Sequence, residues 1–117
     1  MNSVLMAATI GCVVANASVA IADYARAPTV LANFAEVRFM PGALPYLATL
    51  KLAGAVGLLA GLLGVHWLGL AAGVGLTAFF VGALLVHVRA RVFHNIAVPA
   101  AYLVLAVAST CFFAGKL

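Results

Sequence analysis

The chain carries four apolar runs, each about as long as a helix must be to cross a bilayer. Residues 3–22, 67–88 and 96–114 contain no Asp, Glu, Lys or Arg, and residues 45–64 contain only Lys51. At 1.5 Å per residue, about 20 helical residues span the ~30 Å hydrocarbon core. Of the 117 residues, 68% are apolar and 7% are charged. A soluble domain is roughly half apolar and about a quarter charged, and a globule this small cannot hide such an excess from water. These features predict an all-α integral membrane protein, one four-transmembrane-helix bundle of residues 1–117 with the lipid bilayer as its first partner. Ser18-Val19-Ala20 resembles a signal-peptide cleavage pattern, but no Lys or Arg precedes the apolar stretch. The first run is therefore expected to stay as a membrane helix.

The net charge is +4. Nucleic-acid binding would need that charge gathered on one polar face with stacking aromatics beside it. Here the cations sit mostly at the ends of apolar runs, which excludes that class. Arg26, Arg38, Arg89 and Arg91 fall in the connections on one side, against Lys116 and the terminal amine on the other. The positive-inside rule then makes loops 23–44 and 89–95 cytoplasmic and puts both termini outside.

The first of those loops is not featureless. Pro28 suits the first turn of a helix, where its missing N–H costs nothing. Val30, Leu31, Phe34 and Val37 would share one side of it, opposite Asn33 and Glu36, before Met40-Pro41-Gly42 ends it. This predicts a short amphipathic segment over 28–39, lying at the membrane surface or tucked into the bundle mouth. At the other side Val65-His66 forms a very short turn, making the second and third spans antiparallel neighbours.

Apolar helices gain little by leaving lipid for one another, so small residues and interhelical hydrogen bonds must hold them. Gly54, Gly57 and Gly61 in the second span, and Gly69 and Gly73 in the third, supply close-approach positions. The same glycine faces would serve contact with another subunit. Polar residues define the inward faces. Asn16, Lys51 and Tyr102 each lie six residues from the cytoplasmic end of their span, about 9 Å deep. Cys12, Asn16, Val19 and Asp23 share a helical face, as do Lys51, Gly54, Leu58 and Gly61, then Gly73, Thr77, Phe80, Leu84 and His87, and finally Pro99, Tyr102, Ala106 and Ser109. Turned inward, these stripes build a polar cup of Asn16, Lys51 and Tyr102 rimmed by Asp23, Glu36 and His87. The outward half of the bundle reads as purely apolar and glycine-packed.

Lys51 is the most demanding residue. A cation in a membrane helix costs at least ~2.5 kcal/mol and usually faces a cavity or a partner. It has three options: snorkelling to the headgroups, a salt bridge to Asp23 or Glu36, or a part in binding or chemistry. His87 suits either an interfacial position or proton handling, whereas His66 and His94 read as solvated loop residues. Cys12 and Cys111 read as small buried hydrophobes. The sequence has no nucleophile triad, phosphate loop, metal-ligand spacing or dinucleotide fingerprint.

Leu50-Lys51-Leu52-Ala53-Gly54-Ala55-Val56-Gly57-Leu58, preceded by Pro28-x-x-Leu31-x-Asn33 and followed by Gly82-Ala83-Leu84-Leu85-Val86-His87 and Val98-Pro99-Ala100, resembles the DoxX-like proteins, small bacterial four-helix membrane proteins. The resemblance covers most of the chain and implies a four-helix fold with the lysine in the second helix. Only Lys51 and His87 carry over by motif. The family takes its name from a subunit associated with quinone-linked sulfur oxidation, so the resemblance adds a quinone where no cofactor is otherwise evident. It also implies a bacterial cytoplasmic membrane. Three functions compete. One is an accessory subunit or binding module for a lipophilic molecule (quinone, lipid or terpenoid), or for a larger membrane complex or a homo-oligomer. The second is a membrane enzyme, an isomerase or redox catalyst using Lys51, His87 and a carboxylate. The third, a small transporter or channel, is disfavoured because a single bundle with so few polar residues does not make a continuous pore. The orientation predicts that a cysteine placed at Arg91 resists membrane-impermeant maleimide added outside intact cells and reacts once the membrane is opened.

Overall fold

The structure, a computed structural model, describes residues 2–117. It is helical throughout: α1 (Asn2–Tyr24), α2 (Pro28–Glu36), a 3-10 turn at Pro41–Ala43, α3 (Leu44–Leu62), α4 (His66–Arg89) and α5 (Ala97–Ala114). Four of these, α1, α3, α4 and α5, are long and apolar enough to cross a membrane. Some ends differ from the sequence reading. His66 begins α4 rather than closing a turn, and α2 stops at Glu36, short of residue 39.

α1 packs on α3 and α5, and α4 packs on the same two, so the spanning helices close a ring in the order α1, α3, α4, α5. The body measures 40 × 24 × 18 Å, its long axis along the helices. In water a helix buries its apolar face; here the polarity is reversed. The buried stripe of α1 includes Thr9, Cys12, Asn16, Ala20 and Asp23, while Val4, Ile10, Val14 and Ile21 face outward. Lipid is the medium that accepts such a surface.

The half that carries both termini, expected to face outward, is not purely apolar. Thr9, Thr77, Ser109 and Thr110 lie within the helices there, and each hydroxyl donates to the carbonyl four residues earlier at 2.8 Å. A hydroxyl satisfied by its own helix needs no partner on its neighbours, though Thr77 and Thr110 also meet across α4 and α5 at 3.4 Å. Cys111 also departs from the reading: it is exposed on the apolar surface, and only Cys12 is buried.

Backbone approach is closest where α3, α4 and α5 meet. A Cβ on Gly61 would lie 2.6 Å from the Gly69 Cα and 2.7 Å from the fully buried Phe113 ring. A Cβ on Gly69 would meet the same ring at 2.7 Å. Further along, a Cβ on Gly54 would meet Leu76 at 2.5 Å, one on Gly57 the Ala72 Cβ at 2.7 Å, and one on Gly73 the Thr110 hydroxyl at 2.6 Å. Lipid gives no hydrophobic drive for these contacts, so van der Waals fit carries them.

Four helix ends share one turn. A residue of positive φ follows the helix, and the next N–H reaches back five residues: Ala27 to Ala22 at 3.1 Å, Phe39 to Phe34 at 2.9 Å, Val65 to Ala60 at 3.0 Å, and Val92 to His87 at 2.9 Å. Glycine is the usual occupant of the left-handed position. Gly64 (φ +124°) fills it after α3, but Arg26 (53°), Arg38 (56°) and Arg91 (59°) fill it at the opposite end.

The packing predicts that Gly61→Ala, forced against backbone, lowers unfolding stability in detergent by about 1–3 kcal/mol. Gly75→Ala, whose Cβ meets nothing within 4 Å, should stay within about 0.5 kcal/mol of the parent. Equilibrium denaturation of the two variants checks both.

Candidate functional site

The inward stripes leave space at the arginine-bearing end. A cavity of about 620 Å³ lies there, walled by all five helices and the adjoining loops and roofed by α2. Phe34, Val37, Leu47, Phe79, Phe80 and Val86 supply most of its apolar wall. Its polar groups come from Asp23, Asn33, Lys51, His87, Asn95 and Tyr102. Phe34 and Val37 are the buried residues of the α2 side, which seats this segment in the bundle mouth.

Lys51 Nζ donates to Asp23 Oδ2 at 2.8 Å, with the side chains 12% and 3% exposed. The lysine stem runs toward the α1 terminus, so the ammonium reaches the rim and finds a carboxylate there. Its Nζ also stands 5.6 Å from the Phe79 ring centroid, within cation–π range. One Nζ–H bond is satisfied by Asp23, which leaves the other donors for the cavity. Nearby, the Tyr24 and Thr49 hydroxyls meet at 2.6 Å and tie the same two helices together.

His87 is buried near the α4 terminus. Its Nδ1 lies 2.9 Å from the Ala83 carbonyl. A carbonyl only accepts, so Nδ1 carries the proton, and in the neutral ring Nε2 is an acceptor. Nε2 has no protein partner among the described residues and adjoins the cavity that His87 lines. Tyr102 stacks beside Phe80 at 5.2 Å and donates weakly to the Ala15 carbonyl at 3.4 Å.

Asp23, Lys51, His87 and Tyr102 therefore face one cavity, but Asn16 and Glu36 do not. Asn16 is fully buried deeper in α1, its Nδ2 donating to the Cys12 carbonyl at 2.9 Å and touching Cys12 Sγ at 3.4 Å. Glu36 points away from the cup and pairs with His94 at 2.6 Å on the outside of the roof. His94 is thus not merely solvated: it joins the α4–α5 loop to α2. A second stitch, Asn95 Nδ2 to Asn33 Oδ1 at 3.0 Å, does the same inside. Asn95 Oδ1 is buried without a partner in the chain.

The sequence reading passed over Asn95 and Phe79. Asn95 meets its partner 62 residues away, and no local pattern encodes that. Phe79 could have been found by phase, since it neighbours the inward stripe at Phe80. Among the described residues, no group of three or more His, Cys, Asp or Glu side chains comes together as a metal site.

Removing one member of a buried ion pair strands the other charge, at a cost of roughly 3–5 kcal/mol, whereas replacing both with apolar groups is often neutral. Asp23→Leu alone should therefore destabilise the bundle more than Asp23→Leu with Lys51→Met. A double-mutant cycle of unfolding in detergent measures the difference, and additive losses would show that the two groups are not coupled.

Neither the curated proteins nor the solved structures contain a match to this chain. The sequence pattern that defines the DoxX-like family matches residues 7–109. That match spans the ring of four membrane helices from α1 into α5, and this multi-pass membrane protein belongs to the DoxX-like family.

Proposed function

We propose that the chain is a binding module for a lipophilic molecule with a polar head (a quinone, a lipid or a terpenoid), serving as an accessory protein in a bacterial cytoplasmic membrane. The observation that carries this reading is the cavity. At about 620 Å³ it falls within the ~300–1,000 Å³ of small-molecule sites, which are mostly apolar with a few placed polar groups. Its lining is mostly apolar, with a few polar side chains that include Asp23, Lys51, His87 and Tyr102. Lys51 offers donors, and His87 Nε2 offers an acceptor. A ligand with an apolar body and a hydroxyl- or carbonyl-bearing head matches that division. The gathering of four arginines at this end supports a cytoplasmic site, with both termini outside. The outward apolar face of the ring remains available for a homo-oligomer or a larger membrane complex.

A second reading, a membrane enzyme performing an isomerase or redox step, draws on the unpaired Nε2 of His87 beside the same space. It requires an acid or base besides the imidazole. Asp23 and Lys51 hold each other at 2.8 Å, and Glu36 lies outside the cavity. This arrangement favours binding over proton transfer.

Native mass spectrometry of the protein extracted with its surrounding lipid tests the proposal. The expected result is one lipophilic molecule per chain, retained by Leu59→Ala on the lipid-facing side of α3 and lost by at least tenfold in Ala83→Leu, which fills the cavity, and in His87→Ala. A parent protein that carries nothing and takes up no added quinone, terpenoid or lipid would overturn the binding reading. Chemical conversion of the recovered molecule, abolished by His87→Ala, would establish the enzyme instead.

A further inference from the structure

Beyond the lipophilic cavity, we propose a second site: a cleft between Arg38 and Arg89 that binds the phosphate of an anionic phospholipid. Arg38 follows α2 and Arg89 ends α4. With Val37 and Ala90 they line a separate hollow of about 390 Å³. Val37 is the shared wall, facing the lipophilic cavity on one side and this cleft on the other.

Three observations assign the ligand. The first is charge. The chain has two acidic side chains, and both are engaged elsewhere, Asp23 with Lys51 and Glu36 with His94. Among the described residues, none neutralises either guanidinium of the cleft. The C-terminal ends of α2 and α4 each bring about half a negative charge. Two full positive charges exceed that, so the cleft keeps a net attraction for an anion. The nearby carbonyls are also turned to internal use: Arg38 N–H binds the Ala35 carbonyl at 3.2 Å, and Arg91 N–H binds the Val88 carbonyl at 3.0 Å.

The second is backbone. Arg38 holds φ at 56°, a conformation glycine adopts without strain and an L side chain does not. The same turn after α3, at the other end of the bundle, uses Gly64. The same left-handed position also carries Arg26 and Arg91 outside the cleft, so this end of the bundle repeatedly places arginine where glycine would fit, and at position 38 that arginine lines the cleft. A guanidinium fork matches a phosphate in bidentate fashion.

The third is the adjoining surface. Val74, Val81, Leu85 and Val88 form an exposed apolar stripe along α4 that ends next to Arg89. A phospholipid seated with its phosphate in the cleft lays its acyl chains on this stripe. A free phosphate ion has no use for it, and basic pockets beside membrane helices are recognised lipid headgroup sites.

The test places the protein in nanodiscs of equal phosphatidylglycerol and phosphatidylcholine and reads the retained lipid by native mass spectrometry. The parent should retain phosphatidylglycerol about 30-fold over phosphatidylcholine, the scale of two surface cations. R38Q/R89Q should lose that preference. R89Q alone, a helical position with no backbone demand, should lose about fivefold and keeps the test valid if the double variant fails to assemble. R26Q/K116Q removes equal charge elsewhere and should retain the full preference. Equal loss in R26Q/K116Q, or no preference in the parent, would overturn the site. Displacement of the bound lipid by millimolar inorganic phosphate would reassign it to a soluble anion.

Discussion

A charge inside a membrane cannot be left alone, and the pairing of Lys51 with Asp23 meets that constraint for the whole fold. The ammonium enters from the middle of α3 and the carboxylate from the end of α1, so their 2.8 Å contact fixes the depth of one helix against the other. The sequence left snorkelling, pairing and chemistry open for Lys51. The structure shows the pairing: the ammonium meets Asp23, with both side chains largely buried. With α1 and α3 registered, Phe79 comes under the ammonium, and the space between Asp23, His87 and Tyr102 becomes a cavity rather than a packed core.

Polar residues elsewhere in the spans follow a different rule. Thr9, Thr77, Ser109 and Thr110 close hydrogen bonds onto their own helices. Their first bond is local, and only Thr77 and Thr110 also meet across helices, at 3.4 Å, so close packing rests mainly on glycine, alanine and Phe113. Asp23, Lys51 and the His87 Nε2 cannot be satisfied that way. They gather at one end, where the cavity lies among them. The contrast between the two halves thus rests on whether a polar group can be completed locally, not on how many there are.

That distinction also explains what could be read from the sequence. Span lengths, the inward stripes and the close-approach glycines are governed by helical geometry, and Cys12, Asn16 and Asp23 fall on one buried face as a 3.6-residue period demands. Contacts made by the connections carry no period. Turning the polar stripes inward puts Glu36 on the cup's rim, yet its actual partner is His94 and that of Asn33 is Asn95, 58 and 62 residues away. Cys111 was taken for a buried residue because apolar surroundings in a sequence do not distinguish a helix neighbour from lipid. Pro99, by contrast, sits in the first turn of α5, where a missing N–H is harmless, and its position was fixed by that alone.

The cavity consequently has walls of two kinds. The sides belong to the four helices of the ring, held by glycine contacts and a buried ion pair. The roof is α2, a nine-residue helix. Phe34 and Val37 anchor it below, and an exposed His94–Glu36 contact together with one amide bond holds its edge. Exposed pairs contribute about 0–1 kcal/mol, and opening free energies are lowest where buried apolar contacts are few. The roof is therefore the element that yields first while the ring persists. Two left-handed arginine turns, at Arg26 and Arg38, bracket it. On the binding reading proposed above, a molecule too large to pass between packed helices would reach Lys51 and His87 by displacing two apolar side chains and two polar contacts, without breaking the bundle that positions them.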